Sequence, residues 1–340
     1  MTLYVDVALD SIITYAITVS ASDIHFDPVP NGVQVRLRVD GLLTEYMLID
    51  STDADMTVNR IKVFSGMDIS EKRLPQDGRW EWHAKSYAVV MRVSSMPSLY
   101  GEAIVCRLMG NEGVHKNLLE LGMSVELQEK IIALLKRPYG LITICGPTGS
   151  GKTATLYAML RMLNLKETKL ICLEDPIEAK IDGAIQIGIN EKIGFTFSKG
   201  LRTVLRQDPD SIMIGEIRDN ETAQLAVKAA LTGHRVITTV HTNTALGVIG
   251  RLVDMGVEPY LLHATLIGSL SQRLVRRIDS ITHSYQGRLG LFEYVELPPS
   301  NIDWNHVDTY MYLSLQDSAH VAIESGITTL EEVHRAGILL

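Results

Sequence analysis

The first part of the chain switches between helical and strand periodicity. Apolar side chains recur at helical spacing over residues 5–19 and predict a helix with one buried face. Residues 33–39 instead alternate apolar and polar side chains, which predicts a strand. Further strands are expected over residues 79–93 and 103–108, with a turn-rich segment between them. The pattern therefore predicts a small α/β domain over residues 1–110.

Beyond residue 120 the apolar runs are short, continuous and separated by helical segments. Ser124 stands where it can cap the first of these helices. The runs that read as buried strands are residues 141–145, 169–173, 211–215 and 235–240. This alternation is typical of a mostly parallel sheet with helices on both faces. We therefore predict a second α/β domain over residues 121–340, joined to the first by a polar linker at residues 111–120.

Composition narrows the classes of function. The 340 residues are 46% hydrophobic and carry a formal net charge of −8. An acidic surface does not neutralise a phosphate backbone, so direct nucleic-acid binding is not expected. The three cysteines lie far apart in apolar runs, which favours buried thiols in a reducing cytosol over disulfides. Since no apolar run reaches about 18 residues, we expect a cytoplasmic protein whose membrane contact is peripheral.

The strongest chemical signal is a phosphate-binding loop between a predicted strand and a predicted helix. The pattern G-x-x-x-x-G-K-[ST] is matched by Gly146, Pro147, Thr148, Gly149, Ser150, Gly151, Lys152 and Thr153. Its glycines let backbone N–H groups surround phosphates, and the helix that continues through Ala154 adds its positive N-terminal end. In such loops the lysine reaches the β- and γ-phosphates, and the Thr153 hydroxyl holds Mg²⁺. The loop therefore predicts ATP and Mg²⁺ as ligands.

Three more groups of polar residues border predicted strands, whose carboxyl ends are where ligands of open α/β sheets bind. They are Glu174, Asp175 and Glu178 after the strand at 169–173, Glu216 after the strand at 211–215, and His234 and His241 on either side of the strand at 235–240. The three carboxylates are suited to positioning a water or holding Mg²⁺. Glu216 has the position of the carboxylate in the second nucleotide-binding motif of phosphate-loop ATPases. The two histidines have no third metal ligand nearby, and a structural role and a ligand role both stay open for them.

Taken together, the motifs resemble those of the secretion ATPases that drive type II secretion, type IV pilus assembly and the DNA-uptake pilus of competent bacteria. They are, in order, SASDIHFDP with VRLRVDG, EKRLPQDGR, GPTGSGKT, LEDPIE, LRTVLRQDPDSIMIGEIRD and ALTGHRVITTVHTNTA. Six ordered motifs are far more specific than a phosphate loop alone. The resemblance implies a RecA-like phosphate-loop ATPase core preceded by a small PAS-like α/β domain.

The resemblance also implies roles for individual residues. Glu178 is similar to the family's carboxylate that activates the attacking water, with Glu174 and Asp175 on the metal side. Glu216 resembles the carboxylate that holds metal-bound water. The implied γ-phosphate sensors are His241 and His234. The arginines implied to reach the nucleotide are Arg202 and Arg206 ahead of the D-P-D triplet, and Arg36, Arg38, Arg92 and Arg107 in the first domain.

Family members form hexameric rings that act on an integral inner-membrane platform protein, and the resemblance implies the same partners here. The arginine that completes a site can come from a neighbouring subunit or domain. The first-domain arginines have no evident carboxylate partner within their own alternating strand. We therefore expect a homohexamer with composite active sites.

Two departures refine the resemblance. The interval Ile278–Gln286 lacks the cysteines of the family's zinc loop, so zinc is not expected. The chain also starts almost directly at the ASDIHF-type domain. In both respects the chain is similar to the competence-pilus assembly ATPase of Gram-positive bacteria.

Three alternatives stay open. The ending GITTLEEV resembles assembly members, but a retraction motor of the same superfamily is the main alternative. A nucleic-acid translocase would have a similar core, although the net acidity of the chain argues against it. A regulatory nucleotide-binding protein without hydrolysis is the third, and the full set of acidic and basic positions argues against that.

Overall fold

The computed structural model of the chain describes residues 2–83, 88–109, 115–298 and 303–340. The chain divides into two compact units, Met1–Glu112 and Gly113–Leu340. Residues 111–114 of the predicted linker, residues 111–120, lie outside the described residues. Each unit has hydrophobic core clusters of its own.

The first unit is an antiparallel sheet with two helices packed on one face. Its elements are α1 (Thr2–Thr18), β1 (Ala21–Val29), β2 (Gly32–Val39), β3 (Leu42–Asp50), α2 (Ser51–Phe64), β4 (Gln76–His83), β5 (Ala88–Ser98) and β6 (Gly101–Met109). The strands run in the order β3-β2-β1-β6-β5-β4, and all neighbours are antiparallel. The helices pack on the sheet through a core that includes Ile12, Ile24, Val35 and Ile61. Because side chains alternate along a strand, charged residues of the same strands lie on the opposite face.

The helix and the strand predicted from periodicity in this unit are confirmed. In α1 the apolar face is buried from Val5 to Ala16, and Ile17 packs against the same core. β2 buries its alternating apolar residues as well. The turn between the last two expected strands is shorter than predicted, because β5 continues to Ser98 and only Leu99 and Tyr100 form the hairpin turn. β3 and α2 were not predicted, since β3 is exposed along most of its length and carries no clear alternation.

The second unit is built on an eight-stranded sheet between two layers of helices. Its helices and strands are α3 (Val125–Leu135), β7 (Gly140–Cys145), α4 (Lys152–Leu160), β8 (Leu170–Glu174), β9 (Ile185–Gly188), α5 (Phe197–Val204), β10 (Ser211–Ile214), α6 (Asn220–Leu231), β11 (Arg235–Val240), α7 (Gly247–Asp254), α8 (Pro259–Thr265), β12 (Leu266–Ile278), β13 (Tyr285–Glu296), β14 (Met311–Leu313), α9 (Leu315–Glu324) and α10 (Leu330–Arg335). Short 3₁₀ helices span Glu191–Ile193 and Trp304–Tyr310. None of the helices among the described residues is long and apolar enough to cross a membrane.

The strand order of this sheet is β14-β13-β12-β7-β11-β10-β8-β9. The strands from β12 to β9 are parallel, and β13 and β14 extend the sheet in antiparallel fashion. At the strand ends Cys145 pairs with Val240, and Leu173 pairs with Ile214. The carboxyl ends of β7, β8, β10 and β11 therefore lie along one edge, and the loops that carry the predicted chemistry leave the sheet there.

The four buried strands predicted for the second unit are confirmed. Their observed bounds agree with the prediction to within one residue at each end. The predicted cap is also present, because the Ser124 hydroxyl accepts from the backbone N–H of Leu127 at 3.2 Å. The long hairpin of β12 and β13 was not predicted. It adds an antiparallel extension to the mostly parallel sheet that was expected.

Candidate active site

The phosphate loop, residues 146–153, connects the central strand β7 to helix α4. Gly146, Gly149 and Gly151 have φ angles of 144°, 78° and 88°, which side chains with a β-carbon rarely adopt. Space is also limiting, since a β-carbon on Gly146 would lie 2.6 Å from the carbonyl oxygen of Gln272 and 2.6 Å from the Ser150 hydroxyl oxygen. Gly151 is the N-cap of α4, so the unpaired N–H groups of the first helical turn lie at the loop. The loop is shaped to receive an anion.

Lys152, the lysine of this loop, is turned back on the loop itself. Its Nζ atom donates to the carbonyl oxygens of Gly146 at 2.8 Å and Pro147 at 2.9 Å. Burial lowers the pKa of the Lys152 ammonium, and the carboxylate of Glu216 opposes this shift. A phosphate in the loop would offer charged oxygens in place of the neutral carbonyls, and such hydrogen bonds are stronger.

Glu216 lies just beyond the end of β10, beside a guanidinium and an imidazole. The Arg218 guanidinium donates to one of its oxygens, and Nε2 of His241 lies 3.4 Å from the other. This hydrogen bond raises the pKa of Arg218, and the nearby charge of Asp175 adds to the effect. The structure thus brings Glu216, His241 and the acidic segment to the edge where Lys152 lies.

The oxygen donors at this edge fit Mg²⁺. This ion takes one or two carboxylates, keeps several waters and binds substrate phosphates, so it needs no dedicated protein cage. Glu216 supplies a carboxylate, and Thr153, in the first turn of α4, supplies a hydroxyl. Within the described ranges no group of three or more His, Cys, Asp or Glu residues could hold a metal ion.

Glu174, the last residue of β8, is 3% exposed and held from two sides. The Tyr157 hydroxyl on α4 donates to one carboxylate oxygen, and Nε2 of Gln186 donates to the other at 2.9 Å. Burial raises the pKa of Glu174. Glu174 is therefore a buried residue at the start of the acidic segment, hydrogen-bonded to Tyr157 and Gln186.

Tyr157 also fixes the backbone at the end of the acidic segment. Its hydroxyl oxygen accepts from the backbone N–H groups of Glu178 at 3.2 Å and Ala179 at 3.4 Å. Glu178 is itself exposed, as is Asp175. One hydroxyl on the phosphate-loop helix thus links the buried carboxylate to the exposed one.

Three predicted residues of the second unit have hydrogen-bond partners outside the phosphate loop. His234 precedes β11 at the opposite edge of the sheet, where its carbonyl oxygen accepts from the N–H of Gly140, the first residue of β7, at 3.1 Å. Arg202 donates to Glu221 at 2.5 Å, and Arg206 donates to the carbonyl oxygen of Arg202 at 2.7 Å. Both arginines are exposed.

In the first unit, no carboxylate partner was expected within each arginine's own strand, and three of the arginines have partners on a neighbouring strand. Arg36 donates to Asp27 at 2.8 Å, and Arg107 donates to Asp23 at 2.8 Å. Arg38 lies 3.8 Å from Asp23. The partners come from a neighbouring antiparallel strand, so a search along each arginine's own strand does not find them.

The charged face of the first unit carries a row of arginines. In register across the sheet lie Arg79, Arg92, Arg107, Asp23 and Arg38. Like charges directly opposite each other on neighbouring strands are destabilising. An anion placed over the exposed side chains of Arg79 and Arg92 would relieve that repulsion. Arg79 was not among the predicted residues.

Sequence reasoning also missed the polar side chains behind the phosphate loop. Gln272 on β12 is fully buried, and its Oε1 accepts from the Thr155 hydroxyl at 2.7 Å. Arg273 and Glu293 are buried on β12 and β13. The sequence did contain a signal for these residues, since all three interrupt apolar strand runs. A polar residue buried in such a run needs partners, and therefore a structural or functional reason.

A phosphate loop after β7, a carboxylate after β10 and the parallel order β12-β7-β11-β10-β8 define the RecA-like fold of phosphate-loop ATPases. The chain belongs to the type II/IV secretion system protein family, whose family model matches residues 3–335.

Curated relatives from several bacteria share extended similarity with the chain. The type II secretion system protein E of Klebsiella pneumoniae is 49% identical over 270 residues, which cover 79% of this chain and 54% of that protein. The protein of the same name from Pseudomonas aeruginosa is 39% identical over 372 residues, covering 96% of this chain and 74% of that one. The chain thus spans about half the length of the Klebsiella relative.

Two solved structures share the fold over nearly the whole chain. The pilus retraction motor PilT with bound ADP is 28% identical, with a TM-score of 0.67 and coverage of 96% of this chain and 95% of that one. The ATPase DotB of Legionella pneumophila has a TM-score of 0.77, covers 97% and 95% of the two chains, and is 23% identical.

Proposed function

We propose that the chain is a Mg²⁺-dependent ATPase that powers a secretion or pilus-assembly machine. The observation that supports this best is the single sheet edge at which the phosphate loop, Glu216, His241 and the Glu178 segment meet. A nucleotide whose phosphates occupied the loop would lie against all of them. The type II secretion relatives support this kind of machine, and the ADP bound to PilT supports an adenine nucleotide as the ligand.

In the proposed reaction, water attacks the γ-phosphorus of ATP while the bond to the ADP oxygen breaks. Glu178 accepts the proton of the attacking water, and Lys152 leaves the loop carbonyls to bind the phosphate oxygens. Mg²⁺, held by Thr153 and Glu216, would offset the negative charge of the phosphates. In this proposal His241, beside Glu216, contacts the γ-phosphate and loses that contact after hydrolysis.

We further propose a homohexamer at the cytoplasmic face of the membrane, with an integral membrane platform protein as its partner. The exposed arginines Arg202 and Arg206, and the arginine row of the first unit, are candidates to complete a site across a subunit boundary. An arginine supplied in trans is worth about 10³–10⁵ in rate in other phosphate-loop enzymes.

The finer assignment that we propose is assembly of a competence pilus or of a type II secretion pseudopilus. The relatives named type II secretion system protein E, at 39–49% identity, favour assembly over the activity of the retraction motor PilT, which is 28% identical. Retraction is the alternative.

The purified chain tests the activity directly. We expect ATP hydrolysis that stops when Mg²⁺ is chelated and a mass in solution six times that of the chain when nucleotide is present. DNA should not stimulate the rate. Binding of ATP without hydrolysis at any protein concentration would favour the regulatory alternative, and stimulation by DNA would favour a translocase.

A further inference from the structure

Glu293 is a buried carboxylate to which the reaction above assigns no role. It lies on β13, is 4% exposed and closes the segment GRLGLFE. Its carboxylate accepts from the backbone N–H of Ala245, in the loop after β11. The guanidinium of Arg273 on β12 supplies a nearby positive charge.

Arg273 holds the same loop from the other side. Its Nη2 atom donates to the carbonyl oxygen of Asn243 at 2.8 Å, and the Ser271 hydroxyl donates to that oxygen at 3.2 Å. The next carbonyl oxygen, that of Thr244, accepts from the thiol of Cys145 at 3.2 Å. Asn243, Thr244 and Ala245, in the loop that carries His241, therefore form hydrogen bonds with side chains of β12, β7 and β13, respectively.

We propose that Glu293 and Arg273 are positioning residues that hold His241 against Glu216. The inference rests on the proposed hydrolysis of ATP. Asn243 is only two residues from His241, so the hydrogen bonds from Arg273 and Ser271 restrain the backbone close to the imidazole. A loop held at Asn243 and Ala245 has little freedom to move its histidine away from Glu216.

The charges of this pair make the tether sensitive to substitution. Burial of a charge is costly unless hydrogen bonds or a nearby opposite charge compensate it, so removal of either residue leaves the other charge less compensated. The backbone N–H of Ala245 and the nearby charge of Arg273 stabilise the Glu293 carboxylate, so its loss would release the loop at Ala245. A hydrophobic side chain in place of Glu293 would still pack between the strands, but it would not fix the loop after β11 in one position.

The second unit offers a matched control, a buried glutamate of α10 that binds an arginine of the same strand, β12. Glu332 is 2% exposed and accepts from Arg276, three residues after Arg273 on β12, and from Arg335. It joins α10 to β12 through the Arg276 guanidinium. Its partners are Arg276 and Arg335 and include no residue of the loop after β11.

The experiment compares Glu293→Gln, Arg273→Gln and Glu332→Gln in the full chain. For each variant one measures kcat, the melting temperature, and the Kd values of ADP and of a non-hydrolysable ATP analogue. We expect Glu293→Gln and Arg273→Gln to lower kcat about tenfold or more and to reduce the preference for the analogue over ADP, with the Kd of ADP within about threefold. Glu332→Gln should lower the melting temperature comparably and keep kcat within about twofold.

Loss of kcat in proportion to the melting temperature in all three variants would overturn the proposal, because the pair would then be structural only. Unchanged nucleotide preference in a folded Arg273→Gln variant would overturn it as well, even where Glu293→Gln fails to fold. If the wild-type chain hydrolyses no ATP, the proposed function fails, while the two Kd values still decide whether the pair positions the phosphate-contacting loop.

Discussion

The Nζ atom of Lys152 lies 2.8 Å from the carbonyl oxygen of Gly146, within the loop that both residues belong to. The loop therefore holds its own cation in place before any phosphate arrives. A side chain that is already ordered loses less conformational entropy when it binds a ligand. Lys152 needs only to exchange acceptors, from two carbonyls to phosphate oxygens.

Replacement of Lys152 by Ala should abolish nucleotide binding. The variant removes the ammonium that binds the loop and leaves the carbonyls of Gly146 and Pro147 without their donor. We expect the Kd for a fluorescent ATP analogue to rise about 100-fold or more, since a charged hydrogen-bonding group is lost together with its desolvated partner contacts. Lys136→Ala, exposed after α3 and before β7 at the far edge of the sheet, is the control and should bind as the wild type does.

The two glutamates of the acidic segment should behave differently. Glu178→Gln should stop hydrolysis and leave ATP affinity within a few-fold, because the phosphate loop is intact. Glu174→Gln should lower the melting temperature as well, since Glu174 is buried and accepts from Tyr157 and Gln186. Single-turnover rates and melting curves separate the two effects. A Glu178→Gln variant that still hydrolyses ATP, beside a folded but inactive Glu174→Gln variant, would transfer the role of base to Glu174.

Removal of one oxygen atom tests the role of Tyr157. Tyr157→Phe keeps the packing of the ring but leaves the N–H groups of Glu178 and Ala179 without their acceptor. We expect kcat to fall about tenfold with little change in nucleotide affinity, and the free energy of unfolding to fall by about 1–3 kcal/mol. Denaturant titration gives the second number. An unchanged kcat in this variant would mean that Glu178 needs no support from α4.

Subunit mixing tests whether arginines of the first unit act in trans. Arg92→Ala is the clearest variant, because Arg36, Arg38 and Arg107 also contact carboxylates of their own sheet. Inactive Arg92→Ala subunits mixed with inactive Glu178→Gln subunits should recover part of the activity, since some mixed interfaces contain both intact residues. Arg73→Ala, at an exposed position, is the control and should be active alone. No recovery after proven subunit exchange would restrict the arginine to its own chain or to structure.

Acid should weaken the second unit through Glu332. Burial opposes ionisation of this carboxyl, but hydrogen bonds from Arg276 and Arg335 outweigh it and lower its pKa from 4.5 to about 2. A lowered pKa in the folded state means that the ionised form stabilises the fold above pH 4.5, and that this contribution is lost as the pH falls towards 2. The difference in melting temperature between the wild type and Glu332→Gln should therefore shrink over that range. A difference that stays constant with pH would mean that the ion pair does not stabilise the fold.

Local signals in the sequence were enough for the parallel strands and for the phosphate loop. Ser124, the apolar run of β7 and the glycines of the loop each determine structure within a few residues, so one stretch of sequence suffices to predict them. The β12–β13 hairpin was not predicted because Gln272, Arg273 and Glu293 interrupt its apolar pattern. These polar residues are buried through partners on other elements, and no local rule anticipates such partners.

The chemistry was predictable at the level of residue type rather than environment. Glu174 and Glu178 belong to one acidic segment in the sequence, yet the structure buries Glu174 and exposes Glu178. His234 and His241 likewise flank the same strand, and its direction alone sends them to opposite edges. The arginines of the first unit found partners across strands because register between strands is a tertiary property.

The strand that leads into the phosphate loop has both of its neighbours far away in the chain. Leu141 on β7 pairs with Val236 on β11 and with Leu266 on β12, which follow much later. During synthesis, β7 and its loop therefore leave the ribosome long before the strands that enclose them, and the loop gains its final geometry late. Folding that depends on such distant pairings is slow. Because Gly146 of the loop lies against Gln272 of β12, we expect nucleotide binding to arise only after β12 has been added beside β7.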